Sequence, residues 1–338
     1  MATPPAFTCN LLLETVSVSK CIFQLPLLYA GVTMGYEQIV NDATREAKSI
    51  THKHILSIIN TRLKDRNKAD PIRILDAGCG NCELISFLQT YVPKFNQNMP
   101  VEVYGFDVYD SEIQFSDYFK KAQSMLAGKF SHIDWQSRLH IIGNRDPWPF
   151  DNDFFDVVVS NQVLEHIHDP ASFLSQNWRI LKDEAFAVHL FPLKNYFFEG
   201  HIHLPFAHRI KRWGMLYQYI KIMSKIGMGY WKRISDRCTL DEFAASYADF
   251  LTFYCHYLSV GDVIQLGKRS GFRTGFTYTR NFYYEKLKEI FRLKHPFYYS
   301  RNQLHFISIH FYKYIQCITL FLEKKRSYEN YIAKYASR

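Results

Sequence analysis

The sequence predicts an α/β fold in which a doubly wound parallel sheet carries helices on both faces. Apolar strand-like runs alternate with amphipathic helical segments between residues 70 and 192, and the first run leads through two glycines into a helix. After Pro192 this alternation stops for about sixty residues. The interruption predicts a helical cap inserted after the fifth strand.

The elements at the start of the chain are predicted from the spacing of apolar residues and from the positions of turn residues. Apolar residues recur at helical intervals from Tyr36 to Lys64, which predicts one or two helices within an N-terminal helical segment, residues 1–69. Ile72 to Leu75 reads as the first strand, and Gly78 and Gly80 then turn the chain into an amphipathic helix. This order of strand, glycine turn and helix opens the predicted core, residues 70–192.

The later elements complete the predicted order. The rest of the core is predicted as strands at 101–106, 139–142, 154–160 and 185–191 and helices at 111–126 and 170–181. Residues 193–258 form the predicted cap and acceptor segment. In residues 259–338 a helix is predicted at 259–269 and a strand at 272–279, followed by a basic aromatic extension. The apolar run 304–311 fits either a last strand or the start of a long helix.

Composition excludes several classes. Of 338 residues, 47% are hydrophobic and 22% charged, which is too apolar for a disordered chain and too polar for a membrane bundle. Seven cysteines, an odd number in a long chain, imply no disulfide framework and predict a reducing compartment. No run reaches the roughly 20 uncharged residues of a spanning helix. We therefore predict a cytoplasmic protein.

The net charge of +9 is unevenly placed. Residues 201–235 carry seven Lys or Arg and no Asp or Glu, and residues 286–338 carry eleven basic and three acidic residues. Both segments are rich in aromatics, and such surfaces can meet an anionic membrane or a phosphorylated ligand. The alternative is a solvated face over an ordinary core. Because the basic excess lies outside the apparent core, a uniform nucleic-acid coat is disfavoured.

The glycine turn, Asp76 to Cys82, lies where open parallel sheets bind ligands, beyond the carboxyl end of a strand. A dinucleotide fingerprint would place a third glycine at position 83, which is Glu83, so a pyrophosphate is disfavoured there. No Gly-Lys-Ser or Gly-Lys-Thr triplet occurs in the chain, which excludes a Walker A loop.

The segment Ile74-Leu75-Asp76-Ala77-Gly78-Cys79-Gly80 resembles the first motif of class I S-adenosylmethionine-dependent methyltransferases, with a core similar to methyltransferase type 11. A second match runs from Trp148 to Ser160 and continues into Val163-Leu164-Glu165-His166. The resemblance covers residues 70–192, with 259–279 similar to the late helix and strand. It implies a Rossmann-like sheet of seven strands, S-adenosyl-L-methionine as cofactor, and methyl transfer.

The resemblance also implies a cofactor site. By it, the methionine and ribose portions are surrounded by Asp76, Gly78 and Gly80, and Asp107 holds the ribose hydroxyls. Physical chemistry agrees, because a carboxylate accepts from two vicinal hydroxyls and favours a cationic sulfonium; the alternative for Asp107 is a turn or helix cap. After the third strand, where the family usually has an Asp that contacts the adenine, this chain has Asn144, whose amide oxygen can still accept, with Arg145 as a substitute. The remaining residues are Ser160 and Asn161 beside the methionine moiety, and Gln162 and His166 facing the transfer site.

The acceptor segment begins with a dense group of polar residues directly after the fifth strand. If this segment is extended, Glu199, His201 and His203 share a face, and His208 follows closely. We predict that the first three help to deprotonate an acceptor and that His208 contacts it. Two alternatives are a metal bound by two His and one carboxylate, and histidines that are purely structural. The predicted site contains no metal.

The sequence therefore predicts an S-adenosylmethionine-dependent methyltransferase that acts on a hydroxyl of a small molecule or glycan. One alternative is a lipid or lipid-linked acceptor reached from a membrane surface through the basic segments. Another is a catalytically silent protein that keeps the fold for binding. Nucleic acid is disfavoured because no base-methylation motif or RNA-binding module is recognisable.

Overall fold

The computed structural model describes residues 30–64, 70–108, 112–295, 297–299, 312–314 and 317–325. The chain divides into two compact units, residues 1–38 and 39–338. In the first unit, the described residues belong to the start of one helix. All elements of the sheet lie in the second unit.

The helices and strands follow the predicted order. The helices are α1 (Ala30–Glu46), α2 (Ile50–Leu63), α3 (Glu83–Phe95), α4 (Glu112–Lys129), α5 (Pro170–Ile180), α6 (Trp213–Lys225), α7 (Leu240–Phe253), α8 (Val260–Arg269) and α9 (Thr279–Ile290). The strands are β1 (Ile72–Ala77), β2 (Val101–Val108), β3 (Leu139–Ile142), β4 (Phe155–Asn161), β5 (Leu181–Phe191), β6 (Arg273–Gly275) and β7 (Ile318–Glu323).

The seven strands form one mixed sheet in the order β3-β2-β1-β4-β5-β7-β6. The first five strands pair in parallel, as predicted. Strand β7 differs from these five, because it pairs antiparallel with both β5 and β6. A strand inserted between two others from outside the alternating core is not bound by the crossover rule that makes β1 to β5 parallel. The Rossmann-like sheet of seven strands is confirmed.

Alternation along β1 shows how the sheet is buried on both faces. Ile72 and Ile74 pack in an apolar cluster with α2 and α3, whereas Leu75 and Ala77 pack in a second cluster that includes Phe173 of α5. Successive side chains of a strand point to opposite faces. Helices therefore cover both faces, and the ligand edge of the sheet is left at the carboxyl ends of the strands.

Two predicted segments lie in residues 259–338: the strand at 272–279 and the apolar run at 304–311. The strand predicted at 272–279 is only three residues long, and helix α9 begins at Thr279. The apolar run 304–311 lies outside the described residues. Among the described residues, β7 is the strand nearest the end of the chain, and its residues 318–322 are buried and pair with β5.

The segment predicted as a cap contains helices α6 and α7. These two helices pack in a third apolar cluster of their own, together with Ile202 and Leu204. Helix α7 begins with a reciprocal capping box between Thr239 and Glu242. The assignment of this segment as a cap, and the division of the chain at 69, 192 and 258, stay predictions.

Within the described part of the chain, none of the helices combines the length and apolarity that crossing a membrane requires. The five described cysteines are all free thiols. The cytoplasmic location stays a prediction.

Candidate functional site

The glycine turn after β1 is held by backbone geometry that only glycine tolerates. Gly78 has a φ of +80°, and its N–H donates to the carbonyl of Phe106 at the end of β2 at 2.9 Å. A Cβ added at Gly78 would lie 2.6 Å from Cγ2 of Val163, in the loop after β4. The turn is thus packed directly against that loop.

Asp107 closes the other side of the turn. The Gly80 N–H donates to Oδ2 of Asp107 at 2.6 Å, and the Val108 N–H donates to Oδ1 at 2.8 Å. The carboxylate is half-buried, so it is fixed in place and still reachable from solvent. Asp76 is buried, and this burial together with the charge of Asp107 raises the pKa of its carboxyl well above the usual value.

The end of β4 brings two predicted residues to the same edge. Ser160 is fully buried, and its hydroxyl lies 2.8 Å from Nδ1 of His189 on β5. Burial lowers the pKa of His189 to about 3, so this imidazole is neutral. The buried Oδ1 of Asn161 has no hydrogen-bond partner among the described protein atoms. Such an orphaned acceptor is a position that a bound ligand can satisfy.

The two residues predicted near the adenine lie in the turn that follows β3. Asn144 and Arg145 are both exposed. The turn is held by Asp146, whose Oδ2 accepts the Gly143 N–H at 2.7 Å. Their side chains are thus available at the sheet edge next to β2.

Glu199 is the centre of a buried hydrogen-bond cluster. The carboxylate is fully buried and accepts from the backbone N–H of His201 at 2.8 Å and of Ile202 at 2.9 Å. It also accepts from Nδ1 of His201 at 2.6 Å and from the hydroxyl of Tyr257 at 2.7 Å. Four donors converge on one carboxylate.

These contacts decide the charge of the carboxyl and the tautomer of the imidazole. Burial alone would raise the pKa of Glu199, but the hydrogen bonds from His201, Tyr257 and Ile202 outweigh burial and lower it. Glu199 is therefore ionised and can only accept, so Nδ1 of His201 carries a proton. In the neutral imidazole, Nε2 is then the nitrogen that accepts a proton.

The structure brings together two of the three predicted catalytic residues. The segment is a turn rather than an extended strand, because the His203 N–H donates back to the Glu199 carbonyl at 2.9 Å. His203 is exposed, and its ring stacks on Tyr230 at 4.9 Å. The expectation that all three side chains share one face is therefore wrong for His203.

His208 is buried behind the cluster. Its Nε2 donates to the carbonyl of Lys194 at 3.0 Å, and its ring packs on Tyr257 at 4.9 Å. Burial lowers its pKa, which keeps the ring neutral. The buried His208 ring therefore holds the Tyr257 ring in place beside Glu199.

The loop after β4 connects the glycine turn to the Glu199 cluster. Gln162 has a φ of +59°, and its amide lies 3.3 Å from the sulfur of Cys317. His166 donates through Nδ1 to the carbonyl of Tyr254 at 2.9 Å, and its ring centroid lies 5.3 Å from that of His201. The loop after β4 therefore contacts two parts of the site. Its Val163 packs against Gly78 of the glycine turn, and its His166 lies against His201.

A cleft of about 370 Å³ opens beside His201. Its other lining residues come from α7: Ser246, Tyr247 and Phe250. The Phe250 ring meets the His201 ring edge to face at 4.9 Å. His201 itself is partly exposed, with 29% of its side chain accessible.

Two ionisable neighbours of the Glu199–His201 pair, Tyr257 and Glu165, are not among the residues predicted from the sequence. Tyr257 lies 58 residues after Glu199, and no local signal connects the two. Glu165 belongs to the Val163–His166 motif and could have been singled out there. It is 1% exposed, neither carboxyl oxygen has a partner in the described structure, and burial raises its pKa to about 8.

Metal binding was one alternative for this cluster. Among the residues described, no group of three or more His, Cys, Asp or Glu is arranged to hold a metal ion. Cys79 and Cys82 lie in the glycine turn with their sulfurs 3.8 Å apart.

A mixed seven-stranded sheet with a glycine turn after β1 and a carboxylate after β2 defines a doubly wound, nucleoside-binding class of protein. A family model described as a methyltransferase domain matches residues 49–234. The chain belongs to this methyltransferase domain family. It is an S-adenosylmethionine-dependent methyltransferase, and its cofactor is S-adenosyl-L-methionine. The catalytically silent alternative is not retained.

The chain is also similar to solved methyltransferase folds at low identity. YcgJ from Bacillus subtilis is 13% identical, with 82% of this chain and 100% of that chain covered and a TM-score of 0.41. A methyltransferase from Mesorhizobium loti is 14% identical, with 79% and 95% covered and a TM-score of 0.40. The plantazolicin methyltransferase BamL is 11% identical, with 86% and 91% covered and a TM-score of 0.45.

A comparison with curated proteins found no match. The family assignment therefore rests on the domain match.

Proposed function

We propose that this methyltransferase transfers the methyl group to a hydroxyl oxygen of a small molecule or glycan. The observation that carries the proposal is the Glu199–His201 pair, in which an ionised, fully buried carboxylate holds the imidazole at 2.6 Å. An alcohol must lose its proton as its oxygen is methylated, so it needs a base that amine and thiolate acceptors need less. A carboxylate-held imidazole is such a base.

The cofactor residues are proposed as follows. When bound, S-adenosylmethionine supplies an electrophilic methyl group on a sulfonium. Asp107 accepts from the ribose hydroxyls, and Asn161 offers its orphaned Oδ1 to the amino-acid part. Asp76 places a buried carboxyl near the positive charge, which favours its ionised form. The other proposed contacts are the backbone of Gly78 and Gly80, the exposed Asn144 and Arg145 near the adenine, and Ser160.

On the acceptor side, His201 takes the proton at Nε2 because Glu199 and Tyr257 fix the opposite side of the ring. Glu199 is a positioning residue, since its carboxylate is fully buried and acts through the imidazole. His166 and Gln162 border the path from the glycine turn to the cleft. Proximity supplies much of the remaining acceleration in an in-line displacement.

The test compares a Glu199→Gln variant with the unchanged protein. The amide can donate to Nδ1 and reverse the tautomer, so kcat for a hydroxyl acceptor is expected to fall by about 10²-fold or more. The affinity for S-adenosylmethionine, measured by titration calorimetry, is expected to stay the same. Product analysis by NMR identifies the methylated atom, and methylation on nitrogen or sulfur would refute the proposal.

A second candidate is a lipid or lipid-linked acceptor at a membrane surface. Three apolar residues of α6 and its C-cap are exposed: Met215 at 59%, Ile222 at 59% and the C-cap Ile226 at 66%. Exposed Lys211, Arg212 and Lys225 flank them, and residues 201–235 contain no acidic side chain. Apolar residues rimmed by cations fit an anionic bilayer surface. Ile290, Phe291 and Leu293 form a similar exposed group beside basic residues.

Replacing Ile222 and Ile226 by Asp is expected to lower binding to anionic vesicles by at least about tenfold, because apolar burial is lost and charge is repelled. The measurement is co-sedimentation with phosphatidylserine-containing vesicles and with neutral vesicles. A Met125→Asp variant on α4, where Met125 is 39% exposed, is the control. Equal sedimentation of all three proteins would remove this candidate.

A further inference from the structure

The side chains that line the cleft beside His201 indicate which kind of acceptor the cleft can hold. Four side chains line it: His201, Ser246, Tyr247 and Phe250. None of these lining residues is Asp, Glu, Lys or Arg, so the lining offers no permanently charged partner for a phosphate, carboxylate or ammonium group. A neutral acceptor fits such a cleft.

Two aromatic side chains give the cleft its shape. Phe250 packs edge to face on His201 at 4.9 Å and contacts His166 at 5.6 Å, so its ring is held between the base and the loop after β4. Tyr247 is held by Phe243 at 4.8 Å. Held rings favour a flat aromatic guest, whose faces and edges pair with theirs.

The size of the cleft agrees with such a guest. A cavity of about 150 Å³ holds one benzene molecule. The cleft of about 370 Å³, which is open to solvent, therefore has room for an aromatic ring with its substituents. The Ser246 hydroxyl supplies a second polar contact for a ring substituent.

The base also discriminates among hydroxyl groups. A phenol titrates near 10, as the side chain of tyrosine does, whereas a saturated alcohol is a far weaker acid. Proton transfer to an imidazole is most efficient when the two groups are close in acidity. His201 held by Glu199 is therefore better matched to a phenol than to a sugar hydroxyl.

We propose that the acceptor is a neutral phenol whose ring lies between Phe250 and Tyr247 with its hydroxyl at Nε2 of His201. In the transfer, the phenol oxygen gains the methyl carbon as the sulfonium–methyl bond breaks, and the phenol proton passes to Nε2 of His201. The thioether S-adenosylhomocysteine is the second product. This inference rests on the proposed hydroxyl methylation and narrows its acceptor to one class.

The test uses phenol, cyclohexanol and methyl glucoside as acceptors of the full chain. Phenol is expected to give a kcat/KM at least about tenfold above either saturated alcohol. Calorimetry on the protein saturated with S-adenosylhomocysteine is expected to detect phenol binding and weaker or no cyclohexanol binding. This second readout is independent of turnover.

A matched pair of variants on α7 locates the binding. Phe250→Leu is expected to lower phenol kcat/KM and phenol binding by about tenfold, because the aromatic contact is lost while apolar bulk is kept. Phe253→Leu, at a position 56% exposed on the same helix, is expected to leave both unchanged. The affinity for S-adenosylmethionine is expected to be the same in both variants.

The results of these experiments distinguish failure of the phenol inference from failure of the hydroxyl proposal. If cyclohexanol or methyl glucoside is methylated as well as phenol and this activity requires His201, the phenol inference fails and the hydroxyl proposal stands. If phenol neither binds nor reacts while S-adenosylmethionine binds, the phenol inference fails. If O-methylation proceeds unchanged in a His201→Ala variant, the hydroxyl proposal fails with it.

Discussion

Replacing His201 by alanine is expected to lower kcat by 10²- to 10⁴-fold, the usual contribution of a positioned general base. The imidazole is the group that Glu199 orients through a 2.6 Å hydrogen bond, and its ring lines the cleft together with residues of α7. Without it, water must accept the acceptor proton. Steady-state kinetics gives kcat, and titration calorimetry is expected to give an unchanged affinity for S-adenosylmethionine.

The neighbouring His203 provides the matched control. It lies two residues away, but its ring is exposed and stacks on Tyr230 rather than on the Glu199 cluster. A His203→Ala variant is expected to keep nearly the full kcat. A large loss in this variant together with retained activity in His201→Ala would reverse the assignment of the base.

Replacing Asp107 by alanine is expected to weaken S-adenosylmethionine binding by about 10- to 100-fold, since a hydrogen bond to a charged group contributes about 1.5–3 kcal/mol. The loss has two parts. The ribose hydroxyls lose their acceptor, and the Gly80 N–H loses the oxygen that fixes the turn at 2.6 Å. Calorimetric titration with S-adenosylmethionine and S-adenosylhomocysteine measures both affinities.

An Asp107→Asn variant separates these two parts. The amide oxygen can still accept one hydrogen bond, from the Gly80 N–H or from the ribose, so an intermediate affinity is expected. Thermal unfolding shows whether each variant is folded. Unchanged affinity in a folded Asp107→Ala variant would contradict the assignment of Asp107 to the cofactor.

Local patterns were sufficient for most of the sheet. The strands β1 to β5 each follow from a short apolar run bounded by turn residues, and the glycine turn follows from Gly78 and Gly80. Strand β7 could not be placed, because its partner β5 lies more than 120 residues earlier in the chain and pairing at that distance leaves no periodic signal.

In the candidate site too, the sequence indicates groups of nearby residues but not the contacts between distant ones. Glu199 and His201 lie two residues apart, so the sequence placed them in one local group, but the turn that brings them into contact was not predicted. Tyr257 and Phe250 reach the same cluster from α7 and the residues after it, about fifty residues later. Only tertiary packing brings these segments together, which is why the aromatic wall of the cleft was not predicted.

The position of β7 has a consequence for how this protein is made. Strand β5 gains its second neighbour only when residues 318–323 have been synthesised, and β6 has no place in the sheet before then. Until that moment a nascent chain exposes the backbone edge of an apolar strand, a known route to association with other chains. The sheet is therefore completed only after residues 318–323 have been synthesised, whereas its first five strands can pair before then.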